Sequence, residues 1–300
     1  MIRDPRRSGV TLVELVVALT LFSVVATVML TILRGQQRFH IGSLEIIDTR
    51  RSVHHAIDLL YGELRATSTA DIYSITDSSI AFRSIIGASH LCAIDSTRSS
   101  LTLPATRSRR LPPLSTFLTL PRAGDSLLLF DPGEAPEPDD DRWHRHALLA
   151  DPAGGVCPPR PFGLAADAME AAGFAIQVAP PLTRTATVGA PVRFFRPARY
   201  SLYRGSGATW MLGYSSCAAG TCTARQPLSG PYLPFATGGE GGIAFTYFDV
   251  DGTPTAAPAR VARIDVVARA RSASTLDAGH VRGERYRDSL AATIALRNRS

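Results

Sequence analysis

The chain has 300 residues, 45% of them hydrophobic, and a formal net charge of +6 with an isoelectric point near 9.5. Length and apolar content are ordinary for a globular chain, with room for one large domain or two small ones. All 32 basic residues are Arg, dispersed with no dense cluster interleaved with aromatics, and there is no GxSxG, HExxH, P-loop or dinucleotide fingerprint. Nothing here points to an enzyme, and the modest positive charge supports contact with DNA or another anionic polymer only weakly.

The first element is a basic stub, residues 1–9, carrying Arg3, Arg6 and Arg7. It ends in Ser8-Gly9 and is read as a leader rather than as structure. Val10 to Leu33 follows, 24 residues with Glu14 as the single charge. At about 1.5 Å per residue such a helix spans a hydrocarbon core of about 30 Å. A carboxylate at the centre of a spanning helix costs about 2.5–3.5 kcal/mol, and less near an end, so Glu14 calls for a partner. The arginines before the run place the N-terminus in the cytoplasm by the positive-inside rule, with the rest across the membrane.

The helix is expected to continue over residues 34–69. The chain has no proline between Pro5 and Pro104, and Leu44, Ile47, Val53, Ile57, Leu60 and Leu64 recur mostly at spacings of three or four. That is an amphipathic stripe suited to packing on a sheet. Gly35 and Gly42 are weak points in it.

Residues 70–300 read as one β-rich domain. Ile80–Ile85, Ser100–Leu103 and Ser126–Phe130 are expected strands, with His146–Ala150 a further one. Asp151 to Gly163 reads as loop. Val192–Arg204 and Ala208–Tyr214 flank Gly205-Ser206-Gly207 as a hairpin. Gly241–Phe248 leads into the turn Asp249-Val250-Asp251-Gly252. From Val261 to Arg271 apolar and charged residues alternate as in a half-exposed antiparallel strand, and Leu290–Leu296 is the last strand.

Four cysteines, Cys92, Cys157, Cys217 and Cys222, suggest two disulfides in an exported domain. They allow three pairings. A local bridge across the turn-like insert between Cys217 and Cys222 would leave Cys92 with Cys157. Asp249 and Asp251 are weak calcium candidates, because the stretch does not complete an EF-hand and is the commoner pattern of a turn. His144 and His146 would share one face of a strand. Trp143 and Trp210 are expected in the core. No cofactor is expected.

The segment from Gly9 through Val10-Thr11-Leu12-Val13-Glu14-Leu15 resembles the N-terminal signal of type IV prepilins and type II secretion pseudopilins. The resemblance implies cleavage after Gly9 by a membrane prepilin peptidase, which also N-methylates the new first residue, Val10. Val10 departs from the family's commoner Phe. Glu14 becomes the fifth mature residue. In a helical filament it can pair with the amine of a neighbouring subunit, which makes the buried charge tolerable and sets axial register. The implied fold is α+β and pilin-like: a long N-terminal helix, membrane-spanning in its first half, packed on a C-terminal antiparallel sheet domain. The implied setting is the bacterial inner membrane with a periplasmic head, then a filament, with an inner-membrane assembly platform and other pilins as partners. The size and the later pattern, Phe245 to Gly252 and then the alternating and final strands, are similar to PilW-like and J-type minor subunits. A tip adhesin, a DNA-uptake pilin and a signal-anchored periplasmic protein are the alternatives.

Overall fold

The structure, a computed structural model, describes residues 11–104, 115–134, 138–158, 172–218, 221–278 and 281–296. One helix, α1 (Leu12–Arg65), runs unbroken for 54 residues, about 81 Å at 1.5 Å per residue. It continues through Gly35 and Gly42 without interruption. It stops after Arg65, where the Thr67 amide bonds the Leu64 carbonyl and the Thr67 hydroxyl takes the Glu63 carbonyl.

The head is antiparallel β. Its first half contains β1 (Ile72–Thr76), β2 (Ser79–His90), β3 (Ala93–Ile94), β4 (Ser100–Pro104), β5 (Thr116–Phe117), β6 (Ser126–Asp131), β7 (Arg142–Leu148), β8 (Ala153–Val156) and β9 (Ala172–Ala179). The second contains β10 (Pro191–Arg204), β11 (Trp210–Ala218), β12 (Thr221–Cys222), β13 (Gln226–Tyr232), β14 (Ile243–Phe248), β15 (Arg263–Arg271), β16 (Leu276–Ala278), β17 (Val281–Glu284) and β18 (Arg287–Ala295). The long strand β10 is the spine. β2 lines one of its edges from Pro191 to Ser201, while β6 and then β11 share the other.

Two apolar clusters sit on this spine. The first lies between α1 and the sheet, where Val53, Ile57, Leu60 and Leu64 meet Phe82, Tyr200, Val266 and Ile294. The second is built from Leu101, Leu127, Leu129, Ile176, Val192 and Phe194. β10 contributes to both, Tyr200 and Leu202 to one, Val192 and Phe194 to the other. The α+β architecture expected from the sequence is therefore present.

Several details differ from the sequence reading. Leu44 and Ile47 are 46% and 52% exposed, and the buried stripe runs instead through Gly42, Thr49 and Val53. At that level the helix presents Glu45 instead, whose carboxylate accepts from the Ala273 amide and the Ser274 hydroxyl, each at 2.9 Å. Trp143 is 39% exposed, on the sheet face turned away from α1, while Trp210 packs against the first core. β7 starts four residues before His146. The stretch from Asp151 includes the strand β8, which Gly155 permits: a Cβ there would lie 2.9 Å from the Ala175 backbone nitrogen. β9 and β13 were not anticipated. β13 carries Pro227 and Pro231, and its ladder with β11 shifts register twice, which accommodates residues that cannot donate.

Candidate assembly site

Gly9 and Val10 lie outside the described residues, so the site is built from Thr11 onward. Thr11 is extended and caps α1. Its hydroxyl accepts from the Glu14 amide at 3.3 Å, and the Glu14 carboxylate reaches back to the Thr11 amide at 3.0 Å and hydroxyl at 3.1 Å. This reciprocal arrangement satisfies donors that a helix start leaves open. Both bonds to the carboxylate fall on Oε2. Oε1 makes no hydrogen bond among the described residues and can accept from another group.

Beyond Glu14 the helix is apolar on every side. Leu12, Leu19, Phe22, Met29 and the other large side chains to Leu33 are all more than half exposed, or nearly so, in the single chain. Its few hydroxyls are already satisfied: Thr20 donates to the Val17 carbonyl, Ser23 to Thr20, Thr27 to Ser23 and Thr31 to Thr27, at 2.7–2.9 Å. A helix that closes its own polar groups and shows only hydrocarbon suits lipid or the apolar faces of neighbouring helices. Its length and composition suffice to cross a membrane.

The other sequence candidates fall in the head. Disulfides join Cys92 to Cys157 and Cys217 to Cys222. The first ties the end of β2 to the end of β8. The second closes the β11–β12 hairpin, where the two cysteines face each other across the ladder.

Asp249 is a turn hub. Its Oδ1 accepts from the amides of Asp251 and Thr253 at 3.1 and 2.9 Å, and its Oδ2 pairs with Arg260 at 2.7 Å. Gly252 follows with φ +77°, the left-handed position that the turn requires. Asp251 stays exposed. Among the described residues no three of His, Cys, Asp and Glu come together as a metal cluster.

His144 and His146 share the inner face of β7. His144 sits 3.5 Å from Asp131, which also receives the hydroxyls of Thr183 and Thr185. Burial pushes the Asp131 carboxyl up, but those hydroxyls, the Gly133 amide and His144 outweigh it and hold the pKa below its ordinary value. His146 is buried, with Nδ1 2.7 Å from the Pro180 carbonyl and Nε2 unpartnered. Burial lowers its pKa, the Pro180 bond opposing and nearby His144 reinforcing the effect.

An exposed apolar half-helix continuous with a folded β head fits membrane anchoring by a single helix. A narrower likeness comes from the start of the chain. A family model described as the prokaryotic N-terminal methylation motif matches residues 4–30. The chain thus carries the N-terminal signal of the type IV pilin and pseudopilin family, and the long helix on an antiparallel head is consistent with that fold. No curated protein and no solved structure matches the chain. Sequence reasoning located Glu14 but not its bond to Thr11, although Thr-x-x-Glu is a capping-box spacing and was available to be read.

Proposed function

We propose that this protein is a low-copy structural subunit of a type IV pilus or type II secretion pseudopilus, near the tip, with assembly rather than catalysis as its work. Prepilin peptidase cuts after Gly9 and methylates Val10. The chain waits in the inner membrane with its N-terminus cytoplasmic and its head periplasmic, and then enters a helical filament through the assembly platform. The observation that carries this reading is the apolar half of α1, unpartnered in the single chain and bearing one carboxylate a turn from the proposed new amine. In the filament, Oε1 of Glu14 accepts from the Val10 ammonium of a neighbour, and two charges that are costly singly in a low dielectric offset each other.

The test is the intact mass and N-terminal sequence of protein extracted from membranes, with and without prepilin peptidase. A chain that begins at a methylated Val10 agrees with the proposal. A chain that keeps Met1 beside an active peptidase makes the segment a plain anchor. In the same cells Glu14→Ala should be cut normally yet enter filaments poorly, and normal incorporation would remove the pairing from the proposal.

A further inference from the structure

Along β10 the side chains alternate. Val192, Phe194, Ala198, Tyr200 and Leu202 turn into the two cores, so Arg193, Phe195, Pro197, Arg199 and Tyr203 turn to the face away from α1. Neighbouring strands add arginines and rings to this face, and they pair. The guanidinium carbon of Arg193 lies 4.7 Å from the ring centre of Trp143, and that of Arg145 5.8 Å from Phe195. Arg83 lies 6.0 Å from Tyr73, and Arg225 lies 5.7 Å from Tyr203. From Arg193 to Tyr203 the row extends about 33 Å at about 3.3 Å per residue.

Carboxylates are scarce on this face. Asp71, buried, sits 2.6 Å from Arg145 and 3.7 Å from Arg83. Arg193, Arg199 and Arg225 make no ion pair within 4 Å among the described residues. The Arg199 Nε is buried and unpartnered. Unpaired guanidiniums leave the face with a net positive charge, which favours an anionic partner. Trp143 and Tyr73 stay 39% and 42% exposed beside the guanidiniums.

We propose that this face binds single-stranded nucleic acid. Phosphates meet the unpaired guanidiniums, and bases stack on the exposed rings and on the planar guanidinium groups. An acidic peptide would use the charge and leave the rings idle. A duplex hides its base faces from such a platform. Because the face points away from α1, helix packing in an assembly leaves it open, and the proposal stands or falls independently of the assembly reading. The sequence alone did not display this surface, since its arginines are spread over more than a hundred residues and only the sheet gathers them.

The test uses the full chain in detergent with fluorescence anisotropy. The probes are a labelled oligothymidylate and a duplex of equal length, titrated over a range of salt. Micromolar binding of the single strand at about 50 mM salt is expected, about tenfold tighter than of the duplex, with a salt slope of about −0.7 per phosphate contacted. The R193S/R199S/R225S chain should bind at least about tenfold more weakly, with its slope reduced by about 2. R51S/R184S, removing two exposed arginines elsewhere, should bind like the parent. W143A/Y73A should weaken binding with the slope unchanged, and melting curves verify that each variant is folded. Millimolar binding by the parent overturns the proposal, as does parental affinity in the R193S/R199S/R225S chain. If polyglutamate competes as well as oligothymidylate and W143A/Y73A binds normally, the face is a general polyanion surface and the nucleic-acid assignment is wrong.

Discussion

Leu44 and Leu60 offer the sharpest contrast on α1, since they are the same residue on one helix in opposite settings. Leu60 is 0% exposed in the core between α1 and the sheet, while Leu44 faces out. Leu60→Ala removes three buried carbons, a transfer loss of about 2.4 kcal/mol at about 0.8 per carbon. The cavity left behind raises the total to about 3–5 kcal/mol. For a head of this size that lowers the melting temperature by about 10 °C. Leu44→Ala should stay within about 0.5 kcal/mol, as surface changes do. The assay is denaturation of the detergent-solubilised chain followed by tryptophan fluorescence, with Trp210 packed against the affected core. Filament incorporation is measured in parallel, and there Leu44→Ala should be the more harmful of two folded proteins. If Leu60→Ala costs less than about 1 kcal/mol, or Leu44→Ala costs as much as Leu60→Ala, the helix does not dock through the described face.

Three further outcomes are expected. Arg196 holds fully buried Asp125 by two bonds of 2.9 and 2.7 Å, so Arg196→Met should cost about 3–5 kcal/mol, and adding Asp125→Leu should recover much of it; equal losses in both chains would deny the pairing its role. The Cys92–Cys157 bridge closes a separation of 65 residues and the Cys217–Cys222 bridge one of 5, so serine pairs should cost about 4 and about 2 kcal/mol in that order by chain entropy, checked by urea unfolding. His146 is held neutral in the fold, so the unfolded chain takes its proton first as pH falls through the ordinary value of 6.5. Its contribution is complete above that pH and lost below it, with a slope of up to about 1.4 kcal/mol per pH unit that His146→Leu should remove.

What the sequence displays is local order and what it conceals is assembly. The start of α1, its apolar half, and the alternation in β15 are periodic patterns that elementary geometry can decode. Glu14 was legible because a charge in an apolar run has few explanations. Leu44 and Ile47 misled because periodicity finds a stripe without saying where the sheet beneath it begins, and Glu45 reaches the head there by hydrogen bonds to residues 273 and 274. β9 follows a stretch rich in Ala and Gly that gives little strand signal, and β13 carries two prolines. The pairing of β2 with β10 and the cation-rich outer face are products of tertiary contact. No pattern short enough to read along the chain contains them.

The spine has a consequence for the order of events during synthesis. β2 pairs with β10 across a separation of 101 residues at one end, His90 with Pro191, and more at the other. The buried face of α1 waits longer still, because it rests on β15 and β18, and Ile294 and Leu296 close its core. The part of the chain made first is thus completed last. Until β10 is made a long unpaired strand edge persists, and until Ile294 and Leu296 are made so does an uncovered apolar helix face, conditions under which nascent chains stick to one another. Tethering to a bilayer by residues 10–33, or shelter by a chaperone, would keep such chains apart for that interval.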